Sequence, residues 1–289
     1  MRRVIAGLAL LAGTAAGATL PRVERIAFPT RALRGEETLM VYLPPSYGTS
    51  DRTYPALYFL HDAFGSASIL ERRGAIALLD SAMRRGEISE FVLVAPDGDG
   101  SWFSNFHDGR RRYEDLVTVD LPRQIEQRYR VDPRAALRGI TGISMGGYGA
   151  VKIALKHPEL YGSVSSLSGA LFPMGWEDVE LVFFLARRQL HSVFGKSAAD
   201  NSLAENDLWR ILEGRRVSVP FEVYLLAGTQ DKYRLDRVAA QYAGYLNRHG
   251  VRTTAKLEPG IHDWPYWRKA FLDIAKWHAS KFAGAVTGR

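Results

Sequence analysis

A single α/β domain built on a mostly parallel, twisted sheet with helices on both faces is the fold class that this sequence predicts. Three observations point there. Strand-like and helix-like segments alternate along most of the chain, and its 289 residues are enough for one full core. The stretch Gly142-Ile-Ser-Met-Gly146 also joins a strand pattern directly to a helix pattern.

Arg22 to Phe28 and Glu37 to Leu43 alternate apolar and polar residues and read as an opening antiparallel pair, closed by the turn-prone Pro44-Pro-Ser-Tyr-Gly48. Strand then helix follows three times: Ala56 to Leu60 with Ile69 to Arg84, Phe91 to Ala95 with Tyr113 to Tyr129, and Leu137 to Ile143 with Met145 to Lys156. Such repetition calls for parallel strands with crossover helices. Pro122, which has no N–H and crowds the preceding turn, is expected to kink or split the second helix. Strands Ser163 to Leu167 and Phe221 to Ala227, helix Leu235 to Asn247, strand Thr253 to Leu257 and helix Tyr266 to Phe282 complete the pattern. Leu171 to Val217 does not fit it. This segment, with the apolar patch Leu181 to Leu185, reads as an insertion over the strand ends, where it either shapes a pocket or packs as an extra helix.

The first residues resemble an export signal: Arg2 and Arg3, the apolar run Val4 to Ala12, then small residues Ala16-Gly17-Ala18. The organisation is therefore a signal over residues 1–18 and one domain over 19–289, and the expected location is secreted or periplasmic. The apolar run is too short for a comfortable bilayer span, so no stable membrane insertion is expected after cleavage. Formal charge is +7, but the basic residues are scattered and form no long block, which argues against nucleic acid as a partner. The densest group, Arg110-Arg111-Arg112, reads as solvated surface. No cysteine is present, which removes disulfides, thiolate metal sites and a cysteine nucleophile. The histidines lack ligand spacing, so no metal is expected. Asp97-Gly-Asp-Gly100 lacks the dinucleotide pattern, and no cofactor is expected.

A serine flanked by glycines at a strand-to-helix junction has the form of a nucleophile elbow, and it points to acyl transfer. The glycines are required because the sharp turn brings neighbouring backbone too close for a Cβ. A serine hydroxyl is a weak nucleophile, so Ser144 needs a base, and the base needs a group to fix its tautomer. Asp231, in Gly228-Thr-Gln-Asp231, and His262, in Pro259-Gly-Ile-His262-Asp-Trp264, both follow predicted strands. Both should therefore lie at the same edge of the sheet as Ser144. His61 precedes the serine in the chain, His107 lacks a strand directly before it, and Asp236 should sit a turn into a helix; all three rank lower.

Residues Leu60-His-Asp-Ala-Phe-Gly65, Ala95-Pro-Asp-Gly-Asp-Gly-Ser-Trp102, Ser144-Met-Gly-Gly-Tyr-Gly149 with His157-Pro158, Gly228-Thr-Gln-Asp231 and Gly260-Ile-His-Asp-Trp264 resemble the "Putative esterase" (esterase D-like) family of α/β-hydrolases. The likeness is nearest to the small tributyrin and feruloyl-type carboxylesterases. It implies an α/β-hydrolase fold, Ser144 as nucleophile, Asp231 as acid and His262 as base. It also implies an oxyanion hole from the backbone N–H groups of Ala63 and Met145. Where the family commonly has His-Gly, this chain has His61-Asp62. An unpaired carboxylate facing inward would oppose an oxyanion, so Asp62 is expected to point away or to be hydrogen-bonded.

The function expected from these residues is hydrolysis of short-chain acyl or carbohydrate esters. Envelope acyl transfer of the mycolyltransferase type and a non-catalytic binding protein on the same fold are the alternatives. Trp102 and Trp264 are the foremost candidates for touching substrate, ahead of Phe103, Phe106, Trp176, Phe183 and Phe184. If the export reading holds, N-terminal sequencing of the secreted protein will show a chain that begins after Ala18. Mature protein that still begins at Met1 would remove the argument for export.

Overall fold

The computed structural model describes residues 20–173, 187–196, 202–214 and 217–287; the proposed signal lies outside them. Eight strands form one sheet: β1 (Arg22–Thr30), β2 (Gly35–Leu43), β3 (Ala56–Leu60), β4 (Val92–Pro96), β5 (Arg138–Gly142), β6 (Ser163–Leu167), β7 (Glu222–Gly228) and β8 (Thr253–Glu258). Their order is β1-β2-β4-β3-β5-β6-β7-β8. β1 and β2 pair antiparallel with Arg22 opposite Leu43, β2 meets β4 antiparallel, and every later pairing is parallel. This is the α/β-hydrolase arrangement that the motifs implied.

Period-two alternation assigns the core to two layers. From β3, Tyr58 and Leu60 face one side, where α4 (Leu121–Arg128), α5 (Met145–Lys156) and α8 (Leu235–Arg248) contribute Ile125, Val151 and Leu246. Leu57 and Phe59 face the other, against Leu79 of α2 (Ala75–Arg84) and Phe271 and Ile274 of α9 (Trp264–Thr287). With both faces covered, β3, β4, β5 and β6 are buried along their whole length.

Two helices depart from expectation. The helix expected over Ile69 to Arg84 is two, α1 (Ile69–Arg72) and α2, because Gly74 takes a left-handed φ of 74° between them. Tyr113 to Arg128 stays continuous through Pro122: α3 (Tyr113–Asp115) runs into a wider π turn over Leu116–Asp120 and then α4. The widened turn accommodates the missing N–H at Pro122 without breaking the helix.

Of the insertion, α6 (Arg187–Phe194) and α7 (Ser202–Glu205) are described, while Trp176 and the patch at 181–185 lie outside the described residues. Leu190, Val193 and Phe194 are fully buried, and the Val193 carbonyl accepts from the His107 N–H at 2.7 Å. The described part thus packs as an additional helix against the segment after β4.

His278 of α9 is enclosed in the core, with Nδ1 2.7 Å from Ser163 Oγ and Nε2 2.8 Å from Ser165 Oγ. Burial pushes its imidazolium down from 6.5 to about 3. Between those values the unfolded chain binds a proton that the folded chain refuses, so stability falls on acidification, by up to about 1.4 kcal/mol per pH unit from this group. His278→Gln is therefore expected to give a shallower loss of stability between pH 6 and 4, read from urea midpoints at each pH. An identical slope in wild type and variant would show that the proton acts elsewhere.

Candidate active site

Ser144 stands between β5 and α5 with φ 54° and ψ −113°, a backbone region that residues other than glycine rarely occupy. Neighbouring strands hold it there. The Ile143 N–H donates to the Leu60 carbonyl at 3.1 Å, and the Ser144 N–H to the Leu167 carbonyl at 3.0 Å. A Cβ on Gly142 would lie 2.3 Å from the Gly146 carbonyl carbon, and one on Gly146 would lie 2.0 Å from the Leu60 oxygen. Both glycines are thus required by backbone approach.

The structure brings the three predicted side chains together. His262 Nε2 lies 3.1 Å from Ser144 Oγ, and Nδ1 lies 2.7 Å from Asp231 Oδ2. A carboxylate only accepts, so the imidazole proton sits on Nδ1 and leaves Nε2 bare toward the serine hydroxyl. The Asp231 side chain is fully enclosed, and its Oδ1 accepts from the Tyr233 N–H at 2.8 Å. Asp231 follows β7 and His262 follows β8, and their loops touch: the Gln230 N–H donates to the Gly260 carbonyl at 2.9 Å. A Cβ on Gly228 would come within 2.3 Å of that carbonyl oxygen, so glycine permits the approach. Tyr233 and Trp267 stand edge-on to the imidazole, with centroids at 5.1 and 4.7 Å. Trp267 is itself tied to Ser168 Oγ through Nε1 at 3.2 Å.

Ser144, Met145, Ala63 and His262 open on a cavity of about 720 Å³. The backbone N–H groups of Ala63 and Met145 make no hydrogen bond to any described residue. His61 governs the first of them. Its Nδ1 donates to the Asp62 carbonyl at 2.7 Å, and its Nε2 accepts from the Gly98 N–H at 2.8 Å, which fixes a neutral tautomer. The Gly65 N–H reaches the same carbonyl at 2.9 Å. In a trans peptide the carbonyl and the next N–H point opposite ways, so clamping Asp62 O aims the Ala63 N–H. From the sequence His61 is legible only as a rival base, because its partner, 37 residues away, carries no local signal.

Asp62 is buried against the cavity wall. One oxygen accepts from the Phe64 N–H at 3.1 Å, whereas Oδ2 is buried without a hydrogen-bond partner among the described residues. The expectation that this carboxylate would be paired is met for one oxygen alone.

Trp102 and Trp264 both line the cavity, joined by Phe64, Phe172, Tyr233 and Trp267. Phe103 and Phe106 belong to the core, and Trp176, Phe183 and Phe184 lie outside the described residues. Asp236 faces Arg234 at 3.5 Å. Arg111 and Arg112 pair locally with Asp99 and Asp115. Ser163 and His278 form a second serine–histidine pair, but both are buried and neither lines this cavity.

A profile of the family described as "Putative esterase" matches residues 30–278. An esterase of Mycobacterium tuberculosis (strain CDC 1551 / Oshkosh) is 33% identical over 153 residues, covering 52% of this chain and 32% of the relative. The chain thus spans about a third of that relative's length. An acetyl esterase of Caldicellulosiruptor saccharolyticus is 21% identical over 272 residues, covering 88% of this chain and 97% of the relative. Among solved structures, a ferulic acid esterase superposes with a TM-score of 0.74 at 22% identity, covering 91% of this chain and 98% of the other. At that identity the likeness is one of fold.

The elbow yields a direct test. Gly146→Ala is expected to cost at least about 2 kcal/mol, because the obstacle is backbone that cannot rotate away. Gly284→Ala, at a helical position where an added Cβ would meet nothing within 4 Å beyond its own helix among the described residues, should be neutral or slightly stabilising. Equal urea midpoints for the two variants would contradict the close approach.

Proposed function

The chain belongs to the "Putative esterase" family, and from that membership and the site geometry we propose that it is an exported serine carboxylesterase acting on short-chain acyl or carbohydrate esters. One observation carries the reading: the hydrogen-bonded line from Asp231 through His262 to Ser144 ends in an open cavity beside two unengaged backbone donors.

As Ser144 Oγ attacks the ester carbonyl, its proton passes to His262 Nε2, and Asp231 stabilises the imidazolium without taking the proton. Negative charge gathers on the former carbonyl oxygen, where the Ala63 and Met145 N–H groups receive it; donors of this kind are worth about 3 to 4 kcal/mol each. The tetrahedral species expels the alcohol, which takes the proton from His262. Water then repeats the sequence on the acyl-enzyme, losing its proton to His262 and releasing the acid and the free serine.

The aromatic lining suits short acyl chains, aromatic acids and the apolar faces of sugar rings. The family relatives include an enzyme named acetyl esterase, and the structural neighbours one named ferulic acid esterase, which favours acyl groups between acetyl and an aromatic acid in size. The export reading rests on residues 1–18 and disfavours S-formylglutathione, a cytosolic substrate.

Hydrolysis of p-nitrophenyl acetate and butyrate by wild type and Ser144→Ala tests the assignment. The variant should lose at least about 1,000-fold in kcat. Undiminished turnover would refute the role of Ser144. A fluorophosphonate that fails to label the wild type at Ser144 would point to the binding-protein alternative. A carbohydrate acceptor added to the assay separates water from sugar as the acyl acceptor.

A further inference from the structure

Lys152, on α5 behind the elbow, is fully buried, although an ammonium is strongly hydrated in water and costly to enclose without partners. It has them. Nζ donates to the Phe103 carbonyl at 2.8 Å and to Ser104 Oγ at 2.6 Å, and it pairs with Glu114 Oε2 at 2.9 Å. Glu114 is held in turn by Lys156 at 2.8 Å and His157 at 3.0 Å. Two of the three contacts go to a segment outside regular secondary structure.

That segment is bent against its preference. Trp102 and Phe103 are consecutive non-glycine residues with φ of 55° and 47°, in the left-handed region. Trp102 forms part of the cavity wall. The Phe103 ring stands edge-on to His61, with centroids 5.4 Å apart, and His61 is the side chain that clamps the Asp62 carbonyl and aims the Ala63 N–H.

We propose that Lys152 is a positioning residue: by holding the Phe103 carbonyl it keeps the Trp102–Phe103 bend, which sets a cavity wall and braces His61 behind the oxyanion donor. The inference rests on the esterase reading of the same site. It assigns to a buried charge a control over both substrate fit and rate, exerted from outside the cavity.

The anchor depends on protonation. Burial lowers the Lys152 ammonium to about 8, with Glu114 opposing the fall and Lys156 adding to it. The other groups facing it are Ser104 and the Tyr148 ring, whose centroid lies 5.8 Å from Nζ; His157 acts through Glu114. Below that pH the charged ammonium has three protons for three acceptors. Above it, a neutral amine has two and binds each more weakly.

The test compares wild type, Lys152→Met and Glu114→Gln, measuring kcat and KM on p-nitrophenyl acetate and butyrate from about pH 6 to 10, together with near-ultraviolet circular dichroism. Wild-type kcat/KM should decline above about pH 8, the value at which Lys152 loses its proton. Lys152→Met should be roughly tenfold slower on acetate at neutral pH, with an added rise in KM for butyrate, and should show no such decline. Glu114→Gln should move the decline to lower pH, because the carboxylate that favours the charged lysine is gone.

A folded Lys152→Met with unchanged kcat and KM, or one that keeps the alkaline decline, overturns the proposal. If that variant does not fold, Glu114→Gln decides, and an unmoved decline is the negative result. If the wild type cleaves no ester, the esterase reading fails separately. The aromatic circular dichroism signal must then still change near pH 8 for the anchor to stand, and a signal flat with pH overturns it.

Discussion

The close approach of the end of β3 to the first turn of α5 is the constraint on which the rest of the site depends. Leu60 is the hinge point: its carbonyl receives the Ile143 N–H and lies where a Cβ on Gly146 would collide. The next residues after Leu60 are His61, Asp62 and Ala63. Drawing the elbow against this strand end therefore places the serine and the loop bearing one proposed oxyanion donor in register, with no side chain between them. A strained serine backbone persists because β3, β5 and β6 each fix part of it.

Much of this was legible in the chain. Ser144, Asp231 and His262 each lie just past a strand of strong pattern, and parallel strands send their following loops to one edge, so convergence follows from topology. The glycines carry the same message: Gly142, Gly146 and Gly228 mark places where backbone meets backbone, and Gly260 lies where a Cβ would strike the Tyr266 ring. What could not be read depends on distant partners. The tautomer of His61 is set by Gly98, and the partners of Lys152 lie on segments with no fixed spacing from it. Helix interiors escaped for local reasons: Gly74 divides one pattern that periodicity runs together, and a π turn precedes Pro122 inside another whose ends periodicity places to within a residue.

Two serine–histidine pairs show how far environment decides chemistry. His262 has a carboxylate on one nitrogen and a serine on the other, at the edge of a cavity. His278 has a serine hydroxyl at each nitrogen, no facing carboxylate among its hydrogen bonds, and a protonated form that burial disfavours. The first arrangement can accept and return a proton; the second holds a neutral ring as a hydrogen-bonding spacer between α9 and the sheet.

Helix α9 carries a consequence beyond packing. It begins two residues after His262, presses Trp267 against that ring near its start, and lodges Phe271, Ile274 and His278 in the core farther along. Imidazole orientation and sheet integrity are thus borne by one rigid rod. Heat inactivation should consequently coincide with cooperative melting of the domain, leaving no separate regime in which a sound scaffold carries a slackened catalytic edge.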